Sequence, residues 1–176
     1  MAGRKYLGPY SENADIATKE KLDALSGFKY LKFICSRSSG TADGTFTSGA
    51  WRTRTLTTEV NDDTGSASLA SNRFTLPAGT YVIRASAPAY RVHQHMAALF
   101  NYTDSSYTLY GTSEFASVDN ALITRSFVVG KFTITAAKAF EIRHYCNTTR
   151  ADNGFGPANG IGVNETYTVV ELWKVA

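Results

Sequence analysis

An all-β antiparallel sandwich or barrel, preceded by a short helical segment, is the architecture this chain of 176 residues should adopt. Three observations carry that expectation. From Tyr30 onward, polar and apolar residues alternate with a period of two, the spacing of a strand with one buried face. Turn signals recur at nearly regular intervals and mark off about eight to ten short strands with no helix between them. The strand-favouring residues Val, Ile, Thr, Tyr and Phe are abundant, with ten Tyr and ten Phe.

Residues 1–28 stand apart as an anchor or linker, with residues 29–176 forming the head. Residues 14–25 are mostly good helix formers. Asn13 or Asp15 can cap their start, Gly27 suits a C-terminal cap, and Asp15 and Lys19 form a favourable pair four apart. The apolar set Ile16, Ala17, Leu22 and Leu25 is thin, so this helix needs a partner surface. In the head, Tyr30, Lys32 and Ile34 alternate with Leu31, Phe33 and Cys35. A Gly/Ser/Thr loop follows over residues 36–48. Trp51, Thr53, Thr55 and Thr57 then share one strand face. Pro77-Ala78-Gly79 turns the chain between strands over 72–76 and 80–87, and Tyr81, Ile83, Ala85 and Ala87 line one face of the latter. Strands are expected over 95–102, 107–111, 122–135 and 139–147. A Gly/Asn-rich loop covers 148–163, and a last strand runs over 166–175 with Trp173 expected in the core. A terminal strand in the sheet leaves the N-terminus as the end for attachment.

Composition excludes several classes. Hydrophobic residues at 43% and charged residues at 19% belong to a folded soluble domain rather than a disordered chain. The glycines have no three-residue period, which excludes collagen, and no apolar run approaches the ~18 residues of a membrane helix. The net charge of +3 argues neither for nucleic acid nor for an anionic membrane. No apolar leader follows Met1–Lys5, so Cys35 and Cys146 are expected as reduced thiols, and the Asn-x-Thr triplets at Asn101, Asn147 and Asn164 as turn formers. No cofactor motif occurs.

The ordered set of motifs resembles a known family. Phe74-Thr-Leu-Pro77-Ala-Gly79-Thr-Tyr81 resembles a hallmark of C1q/TNF-like jelly rolls: an apolar strand, a Pro-x-Gly turn, then an aromatic strand start. His95-Met-Ala-Ala-Leu-Phe100-Asn, Tyr107-Thr-Leu-Tyr110, the 122–147 strand pair and Val169-Val-Glu-Leu-Trp173 continue it. Gly44-Thr-Phe-Thr-Ser-Gly-Ala-Trp51-Arg52-Thr53-Arg54 looks like the opening of C1q-like domains in phage and prophage tail-fibre proteins. Ser86-Ala-Pro-Ala-Tyr90 and Gly111-Thr-Ser-Glu114 look like the same group. Asp15-Ile-Ala-Thr-Lys19 resembles a segment leading into distal fibre regions. The likeness covers roughly residues 44–175, and 13–25 more faintly. It implies a C1q/TNF-like antiparallel jelly-roll sandwich, a homotrimer with aromatic-rich faces between copies, and a knob that recognises a host surface. The chain is shorter than a long fibre and lacks a shaft, so a short tail fibre or another appendage fits best.

For chemistry, Glu114, Glu141, Glu165 and Glu171 are the carboxylates a glycosidase would draw on, but nothing in the sequence pairs them. Glu141 and Glu171 read as solvated strand positions. Cys146 and His144 lie two apart on a face shared with Phe140 and Ile142, which reads as core. His93-Gln94-His95 places two imidazoles on one strand face, where they can converge on a metal or be satisfied by hydrogen bonds. Arg52, Arg54, Arg84 and Arg91 suit either acidic-sugar recognition or salt bridging on strand faces. The 148–163 loop is the preferred ligand or receptor site, through Arg150, Asp152, Asn153, Phe155 and Asn159: an aromatic face with guanidinium, amide and carboxylate partners.

Three functions compete. The first is a non-enzymatic, homotrimeric phage virion appendage, assembled in the host cytoplasm. Its N-terminal segment docks to other virion proteins, and its head binds a host surface glycan or protein, with no nucleic-acid partner and no membrane insertion. The second is a structural capsid decoration, head fibre or collar protein without receptor binding. The third is a capsule depolymerase, which would release reducing ends.

Overall fold

The computed structural model describes residues 27–175, and these form two antiparallel sheets with no helix among them. The expected anchor helix at 14–25 lies outside the described residues. The strands are β1 (Lys29–Arg37), β2 (Arg52–Thr53), β3 (Thr58–Asp62), β4 (Ser68–Ala70), β5 (Arg73–Leu76) and β6 (Gly79–Tyr90). They continue with β7 (His93–Asn101), β8 (Ser106–Ala116), β9 (Ile123–Ile134), β10 (Lys138–Cys146) and β11 (Glu165–Lys174). The first sheet runs β3-β1-β11-β6-β9. The second runs β4-β5-β10-β7-β8, with β2 beside β10. Most neighbours in the sheets are distant in sequence, as the long connections of a jelly roll require.

Alternation decides which side chains enter the core. Leu31, Phe33, Tyr81, Ile83, Val170 and Leu172 from the first sheet meet Phe74, Leu99, Phe140 and Ile142 from the second, all buried. Phe33 stacks on Phe74 at 5.3 Å, and Phe132 lies 5.2 Å from Phe140 across the layers. A smaller cluster of Phe46, Val92, Cys146 and Phe155 closes one end of the sandwich.

The register places the complementary residues outside. On the first sheet, three rows cross the strands: Ile34–Val169–Ser86–Phe127, Lys32–Glu171–Arg84–Val129 and Tyr30–Trp173–Val82–Lys131. Trp173 is therefore not a core residue. It is half-buried on this outward face against Tyr30 at 5.5 Å, because Leu172 takes the inward position.

Three further expectations change. The strand expected around 51–57 shortens to two paired residues, although its alternation persists, with Arg54 and Leu56 inward. Arg54 is not on the surface but fully buried. Glu141 is not solvated: it is 1% exposed, held by Arg143 at 2.7 Å and Arg73 at 3.4 Å. Both cysteines are free, matching the expected thiols, and both are buried.

Candidate functional site

The 148–163 loop, the preferred recognition site, is tied down rather than presented. Arg150 and Phe46 exchange backbone hydrogen bonds at 2.9 and 3.0 Å. The Arg150 Nε donates to Asn153 Oδ1 at 2.9 Å, and its guanidinium lies 5.5 Å from the Tyr90 ring. Asp152 is exposed in a left-handed turn, φ 64°, with its amide donating to Thr45 Oγ1 at 2.9 Å. Phe155 offers no ring to solvent. It is 8% exposed, 4.4 Å from Phe46, with its other neighbour the Arg54 guanidinium at 4.1 Å. Asn159 is exposed and lines a shallow pocket of about 220 Å³ with Pro88, Ile123, Arg125 and Ile161. Its amide, with those of Gly160 and Gly40, donates to Glu165 Oε1, and these bonds hold the Glu165 carboxyl below its ordinary range. One carboxylate thus staples the 148–163 loop to the 36–48 loop.

Arg54 is the centre of this end of the sandwich. Its Nε donates to Thr168 Oγ1 at 2.9 Å, Nη1 to the Pro88 carbonyl at 3.1 Å, and Nη2 to both Asp43 Oδ2 and the Phe155 carbonyl at 2.9 Å. Burial lowers its pKa to about 10, which still leaves it charged at neutral pH. Asp43 also accepts from Cys35 Sγ at 2.9 Å. Burial, reinforced by that carboxylate, pushes the Cys35 thiol up to about 12. A thiol held so firmly protonated is a poor nucleophile.

The two histidines of the His-x-His motif part company. His93 has a left-handed backbone, φ 60°, which breaks the alternation; its ring stacks on Phe115 at 5.5 Å and its Nδ1 lies 3.1 Å from Thr148 Oγ1. His95 turns inward, 3.0 Å from His144 Nε2 through Nδ1 and 2.7 Å from Thr124 Oγ1 through Nε2. Burial lowers the His95 pKa to about 4 and holds that of His144 well below its ordinary value, with the Arg54 cation adding to both. The described residues contain no group of three or more His, Cys, Asp or Glu placed to hold a metal ion.

Sequence reasoning missed the outward face of the second sheet. There Trp51, Tyr107, Tyr110 and Tyr145 gather with ring centroids 5.1–6.1 Å from Trp51. The available signal was alternation itself: inward His144 forces Tyr145 outward.

Taken together, two sheets in this strand order, a core of alternating inward residues and loops gathered at one end define a C1q/TNF-like jelly roll. Solved structures agree. The crystal structure of murine APRIL at pH 5.0 superposes with a TM-score of 0.52 at 10% identity, covering 84% of this chain and 98% of that one. The globular domain of zebrafish complement 1qA protein gives 0.54 at 12% identity, covering 85% and 98%. At such identities the likeness is one of fold. No protein-family profile matches the chain, and neither does any curated protein sequence.

Proposed function

We infer that the protein is the head of a homotrimeric, non-enzymatic phage virion appendage, a short tail fibre or similar, which docks through its N-terminal segment and binds the host surface. The fibre assignment is supported by the sequence resemblance. The observation that carries association is the outward face of the first sheet. Val129 is 63% exposed there, beside half-buried Ile34, Val82, Phe127 and Val169. Exposed apolar residues continue past the β9 end through Ile123, Ile161 and Val163, at 47, 74 and 61%. Apolar side chains flanking a charged row on a sheet face fit a subunit interface. The central charged row, Lys32–Glu171–Arg84, with Tyr30 Oη donating to Glu171 at 2.8 Å, supplies the polar groups that set register in such a contact.

Light scattering across a range of concentrations tests association. A mass near three chains is expected. Val129→Asp should shift it toward one chain while leaving the far-UV spectrum unchanged. A wild-type monomer at all concentrations would overturn the trimer. Attachment is tested by competition: the purified head should block adsorption of the particle that carries it.

A further inference from the structure

The outward face of the second sheet has the makings of a binding groove. Past Tyr145 the row of rings opens into a cavity of about 450 Å³ walled by Gln94, Met96, Ser113, Phe115 and Asn147. That size lies within the range of small-ligand clefts. Tyr110 is 59% exposed and Phe115 49%, so neither ring contributes to the core. Asn147 Nδ2 donates to Gln94 Oε1 at 3.0 Å. The pairing leaves the Asn147 carbonyl oxygen and the Gln94 amide nitrogen free, an acceptor and a donor side by side at the groove wall. The walls belong to β7, β8 and the end of β10, three paired strands, so the site is preformed.

We propose that this groove binds a neutral glycan, with a pyranose ring lying against Tyr145 and Trp51 and its hydroxyls meeting Gln94 and Asn147. The charge pattern selects this occupant. No Lys or Arg lines the groove. The guanidinium of Arg143, next along the sheet, is spent on Glu141 at 2.7 Å and on the Phe100 ring at 3.4 Å. An acidic sugar would find no counter-ion there. A sugar's C–H face suits an aromatic ring, and its vicinal hydroxyls suit paired amides. The proposal deepens the host-attachment reading by naming the face and the ligand class. It places the site on the sheet opposite the association face, so a trimer would display three copies.

The chain has two tryptophans, and Trp173 lies on the other sheet. In a Trp173→Phe background Trp51 alone reports on the groove. The probe is a printed panel of purified bacterial surface polysaccharides, neutral and acidic, followed by titration of Trp51 emission with the best-retained one. Retention on neutral members and a change in Trp51 emission are expected. Tyr145→Ala and, as a second variant at an exposed position, Phe115→Ala should each weaken binding roughly tenfold or more. Arg150→Ala, in the 148–163 loop, should leave it unchanged. Retention only on acidic members, no retention on any, or binding indifferent to both ring deletions would overturn the proposal. If the protein coats intact cells and Tyr145→Ala coats them equally, the groove assignment fails and host attachment survives. If purified glycan binds through Tyr145 but no cells are coated, the groove stands and host attachment fails.

Discussion

Removing the Asp43 carboxylate should be among the costliest single changes in this protein. Arg54 and Asp43 are both buried, with no side-chain exposure on either partner, and their 2.9 Å contact is the only carboxylate contact Arg54 makes among the described residues. At an effective dielectric constant of ~20, two unit charges at that separation attract by roughly 6 kcal/mol, which mostly offsets the desolvation of both. Asp43→Ala deletes the attraction and leaves the cation buried among neutral acceptors, the Thr168 hydroxyl and the carbonyls of Pro88 and Phe155. Breaking one side of a buried pair costs about 3–5 kcal/mol. For a domain of this size that lowers Tm by roughly 6–20 °C. The assay is urea unfolding at pH 7 and fixed protein concentration, since subunit association would contribute to apparent stability. The m-value should hold while the midpoint falls. The double variant Asp43→Leu with Arg54→Met should recover most of the loss, because it buries no charge. A loss below about 1 kcal/mol in the single variant would show that water reaches Arg54 and would refute the account of this end of the fold.

The paired histidines predict acid sensitivity. His95 and His144 are neutral in the fold, burial holding the His95 pKa at about 4 and that of His144 well below its ordinary value, whereas an unfolded histidine takes up its proton near pH 6.5. The unfolded chain therefore binds more protons between those values, and stability falls as pH drops from about 6.5 toward 4, by about 3 kcal/mol for His95 alone. Chemical denaturation at pH 7, 6 and 5 should show the decline, His95→Gln should lessen it while His144 keeps part of it, and an unchanged midpoint across that range would refute it. Gly111→Ala should be destabilising by about 1–3 kcal/mol. Its new Cβ would stand 2.7 Å from the Phe127 carbonyl oxygen and 2.9 Å from that of Ala97, both backbone atoms that cannot step aside. Thermal melting measures this directly, and a Tm equal to that of the wild type would mean that β8 can retreat from β9 without cost.

Strand identity was legible because alternation is a local property. Leu31, Phe33 and Cys35, or Tyr81, Ile83, Ala85 and Ala87, declare a buried face within a few residues. What alternation cannot declare is which outward face is later covered, or which inward position will hold a charge. Arg54 occupies an inward position, yet reads as a surface residue because buried arginine is rare, and its counter-ion Asp43 sits in a loop eleven residues earlier with no pattern linking the two. Phe155 misled in the opposite way. An aromatic in a Gly/Asn-rich loop suggests a binding surface, but this loop folds back over Phe46 and needs a plug. The row of Trp51, Tyr107, Tyr110 and Tyr145 escaped notice because its members are brought together by long-range strand pairing, β7 with both β8 and β10, and β2 with β10.

These placements bear on where recognition occurs. Arg54 joins β11 through Thr168, β6 through Pro88, the 36–48 loop through Asp43 and the 148–163 loop through Phe155. Glu165 ties the same two loops a second time. A loop held at so many points is a wall rather than a probe, and the aromatic ring it would need for a sugar faces its own core. The second sheet shows the reverse allocation. Its inward positions are filled by Leu99, Phe140 and Ile142, so the core does not need the outward rings, which stay at least partly exposed beside a pair of amides that keep a free donor and acceptor. In a jelly roll the loops are the customary place to look for a ligand, but here the free hydrogen-bonding capacity and the free aromatic surface coincide on a sheet face.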